Sequence, residues 1–214
     1  MAVPFVHELL GFDANGKPNP ADGDSNQSVA IASKVLDLLS SHHHAPGGQI
    51  AGTLLEHGVG ELLGEWLPSI APAIEWDVSS GGRISDYWQY EHLARINAIV
   101  EGDPMLKAEL GGDYLVKPDV VVSVPGVGRG TQPTLHAVVS CKFTLRSDRA
   151  QNIRHEAITL VRHRRGRQPH IVAVTAEPLP SRIASLCRGT GEVDAVYHVC
   201  LEELIEAVND VGNA

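Results

Sequence analysis

The chain has 214 residues, of which 43% are hydrophobic and 20% charged, and this balance predicts one compact globular domain. No stretch approaches the roughly 18 consecutive apolar residues that a membrane span needs. The N-terminus lacks the basic head and apolar body of a secretory signal, and three widely spaced cysteines do not suggest a disulfide framework. We therefore expect a cytoplasmic protein that has no membrane contact.

The net charge of −9 hides a strong segregation of charge along the chain. The segment from Lys142 to Arg188 holds ten basic and three acidic residues, a charge of +7, so the remainder carries −16. A basic region on an acidic body is typical of a surface that faces nucleic-acid phosphates. A solvated, arginine-rich helix face explains the same charge equally well.

Hydrophobic spacing predicts an α/β sandwich, with a central mixed sheet flanked by helices. Residues 1–26, rich in Gly, Pro, Asn and Asp, predict an arm or extended loop, which leaves residues 27–214 as a single domain. Asp148 is the expected N-cap of its helix, and a glycine-rich turn is expected at 125–131. The predicted elements are, in chain order, helices at 27–39, 52–67 and 90–100, strands at 114–124 and 134–143, a helix at 148–163, a strand at 170–176, a helix at 180–188, a strand at 195–200 and a helix at 201–208.

Two predicted strands carry charged residues that suggest hydrolytic chemistry. Asp119 lies at a Pro-Asp step within one apolar run, and Lys142 ends another. Hydrolysis of a phosphodiester needs a divalent metal held by hard oxygen ligands, a positioned water and neutralisation of developing charge. We predict that Asp119 is a metal ligand and that Lys142 orients the nucleophile or holds a phosphate oxygen. A plain cross-strand salt bridge between the two is the alternative.

The neighbouring residues add to this predicted site. Alternation along a strand turns the Cys141 side chain away from Lys142, so the Cys141 main-chain carbonyl, not its thiol, is the group that could meet a hard metal ion. Glu156 supplies a second carboxylate on the following helix. We predict a metal site that contains these groups.

A cluster suited to reading DNA bases follows the lysine, at a predicted helix start. Arginine donates two hydrogen bonds to guanine O6 and N7, and a carboxylate accepts one from cytosine N4. Arg146 and Arg149 are therefore candidate guanine readers, and Asp148 is a candidate cytosine reader. Together with the predicted metal site, they indicate a sequence-specific, metal-dependent DNA endonuclease.

At this point the chain resembles a known group of enzymes. Asp119 with Ser140-Cys141-Lys142 resembles the PD-(D/E)XK nuclease signature, except that Ser140 stands where an acid is expected two residues before the lysine. The run 140–149, continued to Glu156, is similar to the NgoMIV-like type II restriction endonucleases, which cut at CCGG-containing sites. The similarity extends to the segments 49–56 and 177–185, and so to most of the chain from residue 27 onwards.

The resemblance implies a PD-(D/E)XK restriction-endonuclease-like fold and Mg²⁺ as the cofactor. It implies that Glu156 replaces the missing acid and that Glu56 enters the active site from the second predicted helix. Both would act through metal-bound water, in addition to the direct ligands Asp119 and Cys141. A solvated Glu56 is the alternative, and Glu61 and Glu65 are less favoured candidates for its place.

The resemblance also implies how the DNA is read. Arg146, Ser147, Asp148 and Arg149 would read CCGG, and Arg182 would read an outer guanine in the major groove. Gln49 would reach the minor groove, and Asp22 or Asp24 would assist at the outer pair. Contact of Arg182 with a phosphate is the alternative. The implied site is GCCGGC, cut before the first C of CCGG to leave a four-base 5′ overhang.

A palindromic double-stranded site calls for a two-fold dimer. In the NgoMIV group a long segment between the aspartate and the lysine helps to build a tetramer, whereas here Asp119 and Lys142 are joined by a short connection. We therefore expect a homodimer rather than a tetramer. The resemblance also implies a cognate DNA methyltransferase, encoded with the enzyme but not bound to it. A PD-(D/E)XK nuclease for repair or structured DNA, or a non-catalytic DNA-binding module, are the competing interpretations.

Overall fold

The computed structural model describes residues 5–112, 114–126 and 132–212. Among these residues, five strands form one mixed sheet in sequential order. The first three strands pair antiparallel and the last three parallel. The strands are β1 Asp77–Ser80, β2 Val120–Val124, β3 Thr134–Lys142, β4 His170–Thr175 and β5 Ala195–His198. As a result β3, β4 and β5 end at the same edge of the sheet, where β2 begins; we call it the carboxyl edge.

Helices cover both faces of this sheet, as predicted. The helices are α1 Val6–Leu9, α2 Asn26–Leu39, α3 Gly48–Ile70, α4 Glu91–Glu101, α5 Pro104–Leu110, α6 Ser147–His163, α7 Pro180–Cys187 and α8 Leu201–Gly212, with a 3₁₀ turn at Ile84–Asp86. Residues of α1, α2, α3 and α8 share one buried cluster, whereas α4 and α6 contribute to a second one. None of the described helices is long and apolar enough to cross a membrane.

Because successive side chains of a strand point to opposite faces, β2 and β3 contribute residues to both clusters. Val120, Val139 and Cys141 pack into the first cluster, and Val121 and Val138 pack into the second. A strand that is covered on both faces needs apolar residues at successive positions, which explains the valine-rich sequence of β2. The same alternation puts Ser140 and Lys142 on the side of the sheet opposite Cys141, where α6 packs.

Several sequence-based boundaries were wrong: β5 ends at His198 instead of residue 200, and α8 continues to Gly212 instead of ending at residue 208. β2 begins at Val120 instead of residue 114, because Pro118 cannot donate a ladder hydrogen bond and disfavours pairing before it. α3 runs from Gly48 to Ile70, beyond the predicted 52–67, since its glycine-rich start hides the helical signal. Asp148 is not an N-cap: α6 begins at Ser147, and Arg146 is the N-cap without a side-chain hydrogen bond. Residues 127–131 of the predicted turn lie outside the described residues.

The N-terminal segment differs in part from the expected arm. Val6, Leu9 and Leu10 are buried in the first cluster. The ring of Phe5 lies so close to Gly58 of α3 that a Cβ at Gly58 would come within 2.5 Å of it. α1 is therefore packed onto the body of the protein, while the rest of the segment up to α2 is irregular, as expected. The division into an arm at 1–26 and a domain at 27–214 stays a prediction.

Candidate active site and DNA-reading surface

The carboxyl edge brings Asp119 and Lys142 together. Lys142 Nζ lies 2.7 Å from Asp119 Oδ2, and the backbone N–H of Cys141 donates to the same oxygen at 2.7 Å. The side chains of Asp119 and Lys142 are 18% and 22% exposed, so the pair is partly buried but still accessible from solvent. The pair thus joins the residue before β2 to the last residue of β3.

Two further carboxylates lie within the electrostatic reach of this pair. Burial raises the pKa of Glu56 on α3, and the negative charge of Asp119 raises it further. Burial also raises the pKa of Glu156 on α6, although the Lys142 ammonium opposes this shift. Three carboxylates thus share a small region with one ammonium, an arrangement in which a bound cation would stabilise the ionised forms.

Ser140, which stands where the nuclease signature has an acid, lies near Glu156. Its side chain is buried on β3, and its hydroxyl opposes the rise that burial causes in the pKa of Glu156. The carboxylate from the helix therefore lies beside the strand position from which the acid is missing. This is the geometry needed if Glu156 is to substitute for that acid.

The donor chemistry fits a hard divalent cation. Among the described residues no group of three or more His, Cys, Asp and Glu side chains could hold a metal ion by itself. A site with Asp119 and the Cys141 carbonyl as direct ligands, and Glu56 and Glu156 acting through water, does not require such a cluster. Burial raises the pKa of the Cys141 thiol, which packs in the first core cluster and so stays protonated.

The alternatives to Glu56 are placed differently on α3. Glu56 is half-buried, whereas Glu61 and Glu65 are exposed. Glu61 pairs with His57, with 3.3 Å between Oε2 and Nδ1. The charges of Asp119 and Lys142 act on the pKa of Glu56. The structure therefore favours Glu56.

The predicted base-reading residues lie at the start of α6. Arg146, Ser147 and Asp148 are exposed there. Arg149 is half-buried, and its Nη1 donates to the Thr144 hydroxyl at 2.9 Å. Thr144 follows β3 by two residues, so Arg149 points towards the segment after β3. Glu156 lies seven residues after Arg149, close to two helical turns, and therefore on the same face of α6.

Arg182, near the start of α7, is held by two carboxylates. It forms an ion pair with Asp22, and its Nη1 lies 3.5 Å from Glu177 Oε1. The hydrogen bond from Arg182 lowers the pKa of Asp22 and raises that of Arg182, and the nearby charge of Arg146 lowers the pKa of Asp22 further. Asp24 is exposed, and its backbone N–H donates to Asp22. Of the two aspartates, Asp22 is thus the partner of Arg182.

One open cavity connects these elements. Its lining includes Gly48, Asp22, Arg146, Arg149 and Arg182. Gln49 is exposed next to Gly48, at the start of α3. The cavity also includes Thr144, two residues after Lys142, so the arginine-rich surface borders the Asp119–Lys142 pair.

Sequence reasoning assigned no role to Thr144 or Glu177. Glu177 follows β4 at the carboxyl edge and is fully buried. A charged residue at the end of an apolar run is the signal that singled out Lys142. The same signal is present at Glu177, which follows the apolar run of β4. Thr144 carries no comparable signal, because a threonine after a strand is ordinary.

The sequence matches the NgoMIV restriction enzyme family over residues 8–129 and 125–214. The chain belongs to this family. It is therefore a type II restriction endonuclease, a site-specific deoxyribonuclease that binds DNA, and enzymes of this class generally need a divalent metal. Membership decides against both competing interpretations, a repair nuclease and a non-catalytic module.

A relative and a solved structure agree with this assignment. The type II restriction enzyme NgoMIV of Neisseria gonorrhoeae is 40% identical over 239 residues, covering 95% of this chain and 83% of the relative. The restriction endonuclease Bse634I, solved with cognate DNA, superposes with a TM-score of 0.50 at 10% identity, covering 98% of this chain and 92% of that one. The latter bears on the fold alone, and together they confirm the PD-(D/E)XK restriction-endonuclease-like fold.

The match to the family also indicates where this chain differs from its relative in length. The two matched segments meet at 125–129, between β2 and β3. The alignment with the Neisseria enzyme spans more residues than this chain has. The relative therefore carries residues that this NgoMIV family member lacks, and the break between the segments points to the β2–β3 connection as one such place.

Proposed function

We propose that this enzyme cuts double-stranded DNA at the palindrome GCCGGC in a Mg²⁺-dependent reaction that leaves 5′ CCGG overhangs. The observation that carries the proposal is the adjacency of two groups of side chains. The Asp119–Lys142 pair lies at the carboxyl edge, and the cavity lined by Arg146, Arg149 and Arg182 begins two residues beyond Lys142. The proposed hydrolytic and guanine-reading groups are thus close neighbours along the chain.

In the proposed active site, Asp119 and the Cys141 carbonyl would hold the metal directly, and Glu56 and Glu156 would hold it through water. The ion would neutralise charge on the scissile phosphate and acidify a water molecule. Lys142, fixed by Asp119, orients the attacking water or holds a phosphate oxygen. Glu156 takes the place of the acid that Ser140 replaces.

In the proposed reading of the site, Arg146 and Arg149 bind the two guanines of each half-site and Asp148 accepts from a cytosine, with Ser147 beside them. Arg182, aided by Asp22, reads the outer guanine. Gln49 reaches the minor groove from the start of α3. Two copies related by a two-fold axis then read all six base pairs.

Plasmid cleavage tests this proposal. The substrate carries one GCCGGC and several CCGG sequences with other outer pairs, and is digested with Mg²⁺ or with excess EDTA. We expect a single cut at GCCGGC only with Mg²⁺, and end sequencing should place it before the first C of CCGG. Cuts at sites that lack CCGG, or full activity in EDTA, would contradict the proposal.

Arg182→Ala is expected to relax selection at the outer base pair while CCGG stays required. One lost base contact corresponds to about 1–3 kcal/mol of discrimination. Relative cleavage rates on GCCGGC and on duplexes with each other outer pair measure the change. Arg188→Ala, an exposed arginine at the end of the same helix, is the control and should cut like the wild type. If Arg182→Ala keeps the wild-type preference, the outer-guanine assignment fails.

The enzyme is expected to be a homodimer that cuts single-site DNA efficiently. Only a short connection joins β2 and β3, where the family match is interrupted, and the NgoMIV group uses a long segment there for tetramerisation. Light scattering at micromolar protein measures the assembly, and one-site and two-site plasmids measure the need for a second site. A tetramer, or strong stimulation by an added site-containing oligonucleotide, would refute the expectation.

A further inference from the structure

Glu177 is a fully buried carboxylate, two residues after the end of β4. Its Oε2 accepts the backbone N–H of Leu145 at 2.7 Å, and its Oε1 accepts that of Leu179 at 3.2 Å. Oε1 also lies 3.5 Å from Arg182 Nη1. Both oxygens are thus engaged, which is what allows an ionised carboxylate to remain buried.

The two backbone donors, Leu145 and Leu179, lie at the starts of two helices that carry proposed base readers. Leu145 immediately precedes Arg146, the N-cap of α6 and a proposed reader of the inner guanines. Leu179 is the N-cap of α7, the helix that carries Arg182, the proposed reader of the outer guanine. The Glu177 carboxylate therefore accepts hydrogen bonds from the backbone at the start of α6 and of α7, the two helices that carry the proposed base readers. It also contacts one of those readers, Arg182, directly.

The backbone of Glu177 is itself fixed to the sheet. Its N–H donates to Thr175 Oγ1 at 3.2 Å. The backbone N–H of Cys200 donates to His198 Nδ1, so the proton of the neutral ring is on Nε2, which lies 3.2 Å from the Glu177 carbonyl. Burial lowers the pKa of His198 to about 4, which keeps the ring neutral. β4 and β5 thus form a rigid support for this carboxylate.

We propose that Glu177 is a positioning residue that sets the inner and outer base readers in one register. It does not contact DNA; it acts through Arg182 and through the backbone before Arg146. The inference rests on the proposed reading roles of these arginines. Its consequence is that loss of the Glu177 charge weakens discrimination at the inner and the outer pairs together, whereas loss of Arg182 affects the outer pair alone.

Glu177→Gln tests the proposal, because an amide of the same size puts an NH₂ group against one of the backbone or guanidinium donors. The wild-type site is first mapped by end sequencing. Affinities are then measured in Ca²⁺ for that site, for duplexes with a single inner or outer change, and for unrelated DNA. We expect discrimination to fall about tenfold or more at both positions, with affinity for unrelated DNA unchanged.

Glu192→Gln is the matched control. Glu192 is also buried and ion-paired, with Arg154 Nε 3.5 Å from its Oε1, but it contacts neither Leu145 nor Arg182. Its loss should lower thermal stability and leave discrimination as in the wild type. Wild-type discrimination in folded Glu177→Gln, or equal losses in both variants, would overturn the proposal.

A second variant decides the matter if Glu177→Gln does not fold. Thr175→Val keeps the side-chain shape and removes only the acceptor for the Glu177 N–H. We expect a smaller loss of discrimination, again at both positions, and an unchanged profile would overturn the proposal. Because the mapped site serves as the reference, a wild type that cuts elsewhere than GCCGGC refutes the proposed site and leaves the Glu177 test intact.

Discussion

Asp119→Ala and Lys142→Ala are each expected to abolish cleavage while leaving binding to the CCGG-centred site largely intact. The two side chains are joined at 2.7 Å and are proposed to act on the phosphate and its nucleophile, not on the bases. Removing a group that stabilises the transition state typically costs a factor of about 10² or more in rate. Single-turnover cleavage and gel-shift affinity on the same duplex separate the two effects.

Exposed residues of the same type provide the controls. Glu65→Ala on α3 and Lys107→Ala on α5 remove charges far from the carboxyl edge and should cut at the wild-type rate. The binding assay guards against misfolding, since an unfolded variant would lose both activities. An Asp119→Ala protein that still nicks DNA at a near-normal rate would contradict the assignment of the active site.

Arg146→Ala, Asp148→Ala and Arg149→Ala are each expected to lose affinity for the specific site. Asp148→Ala and Arg149→Ala should change the affinity for unrelated DNA little, whereas Arg146→Ala should also lower it to a smaller extent, because the exposed Arg146 adds to the attraction for any duplex. Each base contact is worth about 1–3 kcal/mol, and in a symmetric dimer the loss occurs in both half-sites. Arg149 should show the clearest effect, because its hydrogen bond to Thr144 fixes the guanidinium before DNA arrives. Competition binding against single-substitution duplexes gives the discrimination at each position.

Arg162→Ala tests whether any lost arginine on α6 has the same effect. Arg162 is exposed in the last turn of this helix, well away from the cavity. Its removal should weaken binding to all sequences alike, or not at all, because it does not face the bases. Full discrimination in Arg149→Ala would contradict the proposed reading of CCGG.

Much of the fold was predictable from apolar patterning, because the central strands and long helices are buried. The predicted runs at 134–143 and 170–176 agree closely with β3 and β4. β1 was missed because its four residues are mostly exposed and show no alternation, so it becomes a strand only by pairing with β2. α1 has only four residues and is stabilised by burial against α3, which local patterning cannot reveal.

The site was predictable only in part. Asp119 and Lys142 stand out as isolated charges in apolar runs, and their contact is confirmed. Spacing along a helix cannot say which acid turns inwards, so the choice of Glu56 depended on the resemblance, as did the assignment of Glu156 to the place of the missing acid. The partnership of Arg182 with Asp22 joins residues 160 positions apart, and the sequence left Asp22 and Asp24 as open alternatives.

The ion pairs of Arg182 have a consequence for how the enzyme treats the DNA that it does not cut. The Arg182 guanidinium is already ion-paired with Asp22 and Glu177. It therefore binds a DNA phosphate weakly, because it would first have to release one of these carboxylates. The exposed Arg146 is free of that constraint and adds to the general attraction for any duplex. On the proposed assignment, Arg146 contributes to non-specific DNA binding as well as to recognition, whereas Arg182 contributes to recognition alone. The outermost base pair is therefore read by a side chain that adds little to the affinity for non-cognate DNA.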